Sequence, residues 1–187
     1  MDKKSEIIKR SYHLMHLYGY NGTSVKKITD AAEIPKGSFY NYFQNKEEYA
    51  KCVIEHFRHK ESIFYTFEED ELTSAEQISL FFKNQIKYFK KKNYKYGCFV
   101  GNLTQEMADV SPVLAKTAED FHQFVAVQLE QSLIRGVESG EFVLPVDAKK
   151  LSNFLINAWQ GTLLRMKSNQ DDQVLDDYLE ILKRILS

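Results

Sequence analysis

Three prolines and eight glycines in 187 residues leave the backbone almost free of breakers, and this scarcity restricts the fold more than any motif does. Apolar residues meanwhile recur at i, i+3 and i+4, so the chain is set for long helices rather than for short strands joined by turns. The breakers that do occur fall where helices should stop. Gly19 follows a stripe of Ile7, Ile8, Ser11, Leu14, Met15 and Tyr18; Gly140 follows one carrying Phe121, Phe124, Leu129 and Leu133. Polar residues stand at the opposite ends, ready to accept the free amides of a first turn: Ser24, Asn45, Ser74, Ser111 before Pro112, and Asp147. The spacing predicts about nine helices and an all-α fold: 3–18, 24–32, 36–42, 46–65, 75–92, 97–106, 112–139, 148–168 and 172–186. The acidic stretch Glu68 to Thr73 reads as a surface loop.

Among these helices the pair between Thr23 and Lys46 is the most informative. The first carries Val25, Ile28, Ala31 and Ala32 inward; a turn at Glu33 and Ile34 follows. Pro35 suits the start of the second, which is furnished with Lys36, Gly37, Ser38, Tyr40 and Asn41. A helix-turn-helix places such residues in the major groove of DNA. Lysine there reaches guanine, glycine permits close approach, serine bonds base or phosphate, and asparagine suits adenine. Thr23, Ser24 and Lys26 lie where a helix N-terminus meets phosphate, and capping alone would equally account for the two hydroxyls. Tyr42 and Lys46 suit the DNA backbone, whereas Phe39 and Phe43 are spaced for the core.

Residues from Thr23 through Ile28, Ala32, Ile34, Lys36, Gly37, Tyr40, Tyr42 and Phe43 to Lys46 resemble, one by one, the N-terminal signature of the TetR family of bacterial transcriptional regulators. Glu33 stands where that family usually has glycine, and Pro35 where a capping serine or threonine is common. The resemblance implies a three-helix DNA-binding head over residues 1–46 and a larger ligand-binding and dimerisation body over 47–187. It also implies a homodimer formed through the last two helices, and an inducer that draws the paired heads out of register with successive major grooves. Such regulators are most often repressors.

The charge is consistent with that division. Residues 1–60 carry a net +4 and residues 61–187 a net −5, so the basic part coincides with the expected DNA head. Met1 to Arg10 is too charged for a secretory signal, and no apolar run of about 18 residues occurs, so a cytoplasmic protein with no membrane partner is expected. Cys52 and Cys98 lack metal-ligand spacing with His13, His16, His56 and His59. No phosphate loop or nucleophile elbow is present, so neither an enzyme nor a cofactor is expected. A helical carrier or structural protein that never meets DNA is the competing reading.

In the body, Phe81, Tyr88, Tyr96, Phe99, Phe121, Phe124 and Trp159, with Asn102, Gln105 and Gln128, have the composition of an apolar pocket for a small-molecule inducer. Each aromatic equally suits plain core. The string from Gly97 to Asp109 resembles a segment of the TetR branch that includes repressors sensing N-ethylmaleimide and related electrophiles. Cys98, near Lys92 and Lys95 at a helix start, has two readings: a stabilised thiolate that meets electrophiles, or an inert packed thiol. Leu151, Phe154, Leu155, Ala158, Gly161 and Thr162 on one terminal helix, with Tyr178, Leu179, Leu182 and Ile185 on the other, present more apolar surface than two helices can cover, so a partner face is expected. The TetR resemblance makes it the homodimer face, and a core pair within one chain is the competing reading.

Overall fold

The computed structural model describes residues 2–65 and 72–187, the side chains of 59–65 excepted. The His59 side chain and the acidic run Glu68–Glu71 therefore lie outside the described part. Among the described residues the chain is helical with no strand: α1 (Lys3–Tyr18), α2 (Val25–Ala31), a 3-10 helix (Lys36–Asn41), α3 (Lys46–Tyr65), α4 (Ser74–Lys91), α5 (Phe99–Met107), α6 (Pro112–Glu138), α7 (Ala148–Asn169) and α8 (Gln173–Ile185).

Most expected caps are used. Ser24 accepts the Lys27 amide at 3.2 Å, Asn45 the Glu48 amide at 2.8 Å, Ser111 the Leu114 amide at 3.1 Å and Asp147 the Lys150 amide at 2.9 Å. Gly19 and Gly140 close their helices at φ 72° and 75°, a region that costs a Cβ-bearing residue strain. Ser74 is a correction. It is already helical, and Thr73 forms a reciprocal capping box with Glu76 in its place. The recognition segment is a second correction: tight 3-10 turns over Lys36–Asn41 replace the expected α-helix to Tyr42. Pro35 supplies no side-chain cap, and the chain closes i to i+3 instead, Ser38 N–H donating to the Pro35 carbonyl at 2.9 Å and Tyr42 N–H to that of Phe39 at 3.0 Å.

The helices group into two compact units. One holds the residues up to Lys60 together with Phe99–Phe121; the other holds the described part of 61–98 together with 122–187. Compactness therefore does not change at residue 46, because α5 and the first part of α6 pack with the N-terminal helices. In the first unit Ile7, Met15, Ile28, Phe39, Phe43, Tyr49, Val53 and Ile54 are almost wholly buried. Tyr49 lies edge-on to Phe43 at 5.1 Å between centroids. Its hydroxyl meets Ser11 Oγ at 2.7 Å, and since Ser11 donates to the Ile7 carbonyl at 2.6 Å, Tyr49 is the donor of the pair.

In the second unit Phe82, Trp159 and Tyr178 form a triangle of rings with centroids 4.9 to 5.1 Å apart, and the Tyr178 hydroxyl donates to the Leu155 carbonyl at 3.0 Å. Leu129, Leu133, Met166, Leu175 and Leu182 complete this core. Glu141 accepts the Ser74 and Ala75 amides at 3.1 and 3.0 Å, holding the start of α4, and Lys90 pairs with Asp172 at 2.8 Å.

This packing corrects part of the expected dimer face. Leu151, Leu155, Tyr178 and Leu182 are buried within their own chain. Ala158, Thr162, Leu179 and Ile185 are half-buried, and Gly161 is exposed with open space where a Cβ would stand. Phe154 is 61% exposed, and Leu164 and Ile181, apolar residues of the same two helices, are 54% and 58% exposed.

Candidate nucleic-acid interface

The helix-turn-helix stands on a rigid floor. Phe39 and Phe43, 5.1 Å apart between ring centroids, are buried beneath the 3-10 helix, and Ile28 and Ala32 anchor α2 on the same core. With that face fixed, the outer one is left to Lys36, Gly37, Tyr40 and Asn41, all exposed, and to the half-buried Ser38. Tyr40, 55% exposed, is held edge-on against Phe39 at 5.4 Å. Nothing stands within 4 Å of a Cβ built on Gly37, so glycine here leaves open space rather than relieving a clash.

The turn shows how the two departures from the family pattern are accommodated. Glu33 takes φ 56°, the left-handed conformation that glycine adopts freely and that costs other residues about 1–2 kcal/mol. Its exposed carboxylate pairs with Arg10 of α1, which also meets Glu6 at 3.2 Å. Its charge is thus balanced within the head. Pro35, at φ −59°, enters the 3-10 helix without strain.

Around this face the expected phosphate residues divide. Thr23 is a correction: its side chain is fully buried, and its hydroxyl donates to the carbonyls of Gly19 at 2.8 Å and Leu14 at 3.1 Å, tying the α1–α2 link rather than facing outward. Ser24 is exposed but caps α2. Lys26 is exposed and pairs with Asp30 at 2.7 Å, a contact that solvent weakens. Lys27, exposed, donates to the Gly22 carbonyl at 2.8 Å and lies 4.5 Å over the Tyr18 ring. Tyr42 is half-buried. Lys46 is half-buried as well; its ammonium donates to the Tyr20 carbonyl at 2.9 Å over that residue's ring, and burial holds its pKa below the usual lysine value despite Glu106 nearby. Glu106, which sequence reasoning missed, reaches the same link from α5. Both its oxygens accept backbone amides, from Tyr20 and Asn21, each at 2.7 Å.

The residues expected around an inducer fall in both units. Phe99, Asn102, Gln105 and Phe121 belong to the first, and Phe81, Tyr88, Tyr96, Cys98, Phe124, Gln128 and Trp159 to the second. Trp159 is committed to the ring triangle of its own core, while Tyr88 and Gln105 are exposed. Phe99 sits against Phe57 at 5.2 Å and His16 at 5.5 Å. The turn before Cys98 is unusual: Asn93, Tyr94, Tyr96 and Gly97 all have positive φ. No helix among the described residues is long and apolar enough to cross a membrane.

A buried aromatic floor, two short helices joined by a tight turn and an outer face of exposed Lys36, Gly37, Tyr40 and Asn41 define a helix-turn-helix DNA-binding protein. Residues 7–51 match the family described as "Bacterial regulatory proteins, tetR family", and residues 74–182 match "Tetracyclin repressor-like, C-terminal domain". The chain is 30% identical over 182 residues to the HTH-type transcriptional repressor DhaR of Mycobacterium sp. strain GP1, covering 96% of this chain and 89% of that one. Its fold is similar to that of reduced Escherichia coli NemR, with a TM-score of 0.92, 22% identity and coverage of 100% and 98%. It is also similar to that of a regulatory protein TetR from Rhodobacter sphaeroides, with a TM-score of 0.87, 25% identity and 98% of each chain covered. The chain belongs to the TetR family, whose members are transcriptional regulators rather than enzymes.

Proposed function

We propose that this regulator is a cytoplasmic repressor that binds a palindromic operator as a homodimer and is released by a small apolar or electrophilic inducer. The observation that carries the reading is the exposed set Lys36, Gly37, Tyr40 and Asn41 on the buried Phe39 and Phe43 floor, since base reading needs reaching side chains on a packed support. A single head offers too few base contacts for useful selectivity, and two related by a twofold axis read a palindrome. Phe154, Gly161, Leu164 and Ile181, exposed along α7 and α8, support pairing of those helices with their symmetry mates. The similarity to a repressor across nearly the whole chain supports the sign of regulation.

The inducer acts by population shift, favouring a conformation in which the two heads no longer meet successive major grooves; inducer and operator then weaken each other reciprocally. Cys98 supports an electrophilic inducer. It is half-buried behind a turn with two tyrosines in left-handed conformation, each costing roughly 1–3 kcal/mol, a place where covalent change would have strain to release. Selecting bound fragments from the source genome tests the function. The wild type should enrich a palindrome, with affinity falling steeply as salt rises. Lys36→Ala should weaken the enriched site by about tenfold or more without unfolding, the worth of one base contact. Full affinity in that variant would remove Lys36 from the reading face, and failure to enrich any sequence would leave the carrier reading.

A further inference from the structure

Given that the head reads DNA as proposed above, we propose that Glu106 is a positioning residue: a carboxylate clamp through which α5 sets the geometry of the reading helices. The link between α1 and α2, residues 19–22, buries none of its side chains fully, and Asn21 and Gly22 are exposed. Apolar packing therefore gives this link little hold, and its polar groups carry more of the task.

Glu106 holds two of those groups at once, Oε2 accepting the Tyr20 amide and Oε1 the Asn21 amide, each at 2.7 Å across more than eighty residues of sequence. The other groups are held too. Lys46 takes the Tyr20 carbonyl at 2.9 Å, Thr23 the Gly19 carbonyl at 2.8 Å and Lys27 the Gly22 carbonyl at 2.8 Å. Gly19 leaves the room the carboxylate occupies: at φ 72°, a Cβ there would fall 2.5 Å from Oε2. A bidentate anion on consecutive amides fixes direction as well as distance, and charge assistance makes these the strongest contacts the link has. The first turn of α2 follows at once, and with it the angle at which Lys36 to Asn41 are presented. Lysines meet phosphate over a wide range of angles, whereas base edges tolerate little misplacement. Loss of the clamp should therefore damage reading more than adhesion.

The test compares full-length wild type, Glu106→Gln and Glu106→Ala on the selected operator fragment and on a scrambled duplex of equal length, by fluorescence anisotropy over a range of salt. Hydrogen exchange is followed at the Tyr20 and Asn21 amides. Expected in Glu106→Ala are faster exchange at both amides and operator binding weaker by about ten- to a hundredfold, the worth of one charge-assisted hydrogen bond. Scrambled-duplex affinity should stay within about twofold and the salt slope should not change, because the phosphate contacts are the same. Glu106→Gln, with one acceptor oxygen left, should fall between, and it carries the test if the alanine variant does not fold. Proportional loss on both duplexes would mean fewer folded molecules and would overturn the proposal, as would unchanged discrimination with accelerated exchange. A wild type that prefers no selected fragment would overturn the DNA-reading function itself, an outcome visible before any variant is made.

Discussion

Phe154→Ser should dissolve the proposed dimer while leaving each protomer folded. Phe154 is 61% exposed on α7, and an aromatic side chain has roughly 150–250 Å² to bury, so about 90–150 Å² remains for a partner to cover. At roughly 25 cal/mol per Å² that is about 2–4 kcal/mol per protomer, and symmetry doubles it to about 4–8 kcal/mol, or a dissociation constant raised by roughly three to six powers of ten. The protomer itself should barely notice, because Phe154 contributes little to the core built from Leu155, Trp159 and Tyr178. Analytical ultracentrifugation over a concentration series measures the first quantity, and urea unfolding at high dilution the second. Operator affinity should collapse with the dimer, because each half-site then binds alone. A Phe154→Ser protein that sediments as the wild type does, at every concentration, would refute the assignment of α7 to the interface.

The head core offers a test of hydrogen-bond asymmetry. Tyr49→Phe removes a buried donor but leaves Ser11 bonded to the Ile7 carbonyl, costing about 1 kcal/mol, whereas Ser11→Ala strands the Tyr49 hydroxyl and should cost about 1–3 kcal/mol. Equal or reversed losses in urea midpoints would contradict the donor assignment. At Glu141, burial raises the carboxyl pKa, but hydrogen bonds from the Ala75 and Ser74 amides and from the Ser139 and Ser74 hydroxyls together outweigh it and hold it below the ordinary value. A depressed folded pKa gives stability that is present above the unfolded value and lost as pH falls through the folded one. Glu141→Gln should therefore lose stability at neutral pH and show less of a decline between about pH 5 and 3 than the wild type; parallel curves would count against the clamp on α4. Cys98→Ser should abolish operator release by N-ethylmaleimide in a gel-shift assay, and release at the wild-type dose would remove Cys98 from sensing.

The helical class and most helix ends were legible in the sequence because they depend on local chemistry: a hydroxyl or carboxylate before an apolar stripe, a glycine after it. The 3-10 form of Lys36–Asn41 was harder to read, since it follows from a missing cap and from the turn's tertiary support. Thr23 looked like a surface hydroxyl because the carbonyls it serves, Leu14 and Gly19, come close only when α1 and α2 fold together. The terminal helices misled for a related reason. Apolar periodicity shows that Leu155 and Phe154 are both available for burial, but it cannot say which is covered by the same chain. Glu106 gave no signal at all, being one carboxylate among many until α5 is placed.

That α5 and the start of α6 pack with the N-terminal helices bears on how such regulators diversify. A head exchanged between relatives at residue 46 would leave behind Glu106, which accepts the Tyr20 and Asn21 amides, and Phe99, whose ring meets His16. The DNA-reading part is thus discontinuous along the gene. A recombination event that preserves it must carry two separate segments at once, whereas point substitutions at the exposed Lys36, Tyr40 and Asn41, the proposed reading residues, disturb neither. New operator preferences should therefore arise by drift on the reading face more readily than by shuffling whole heads.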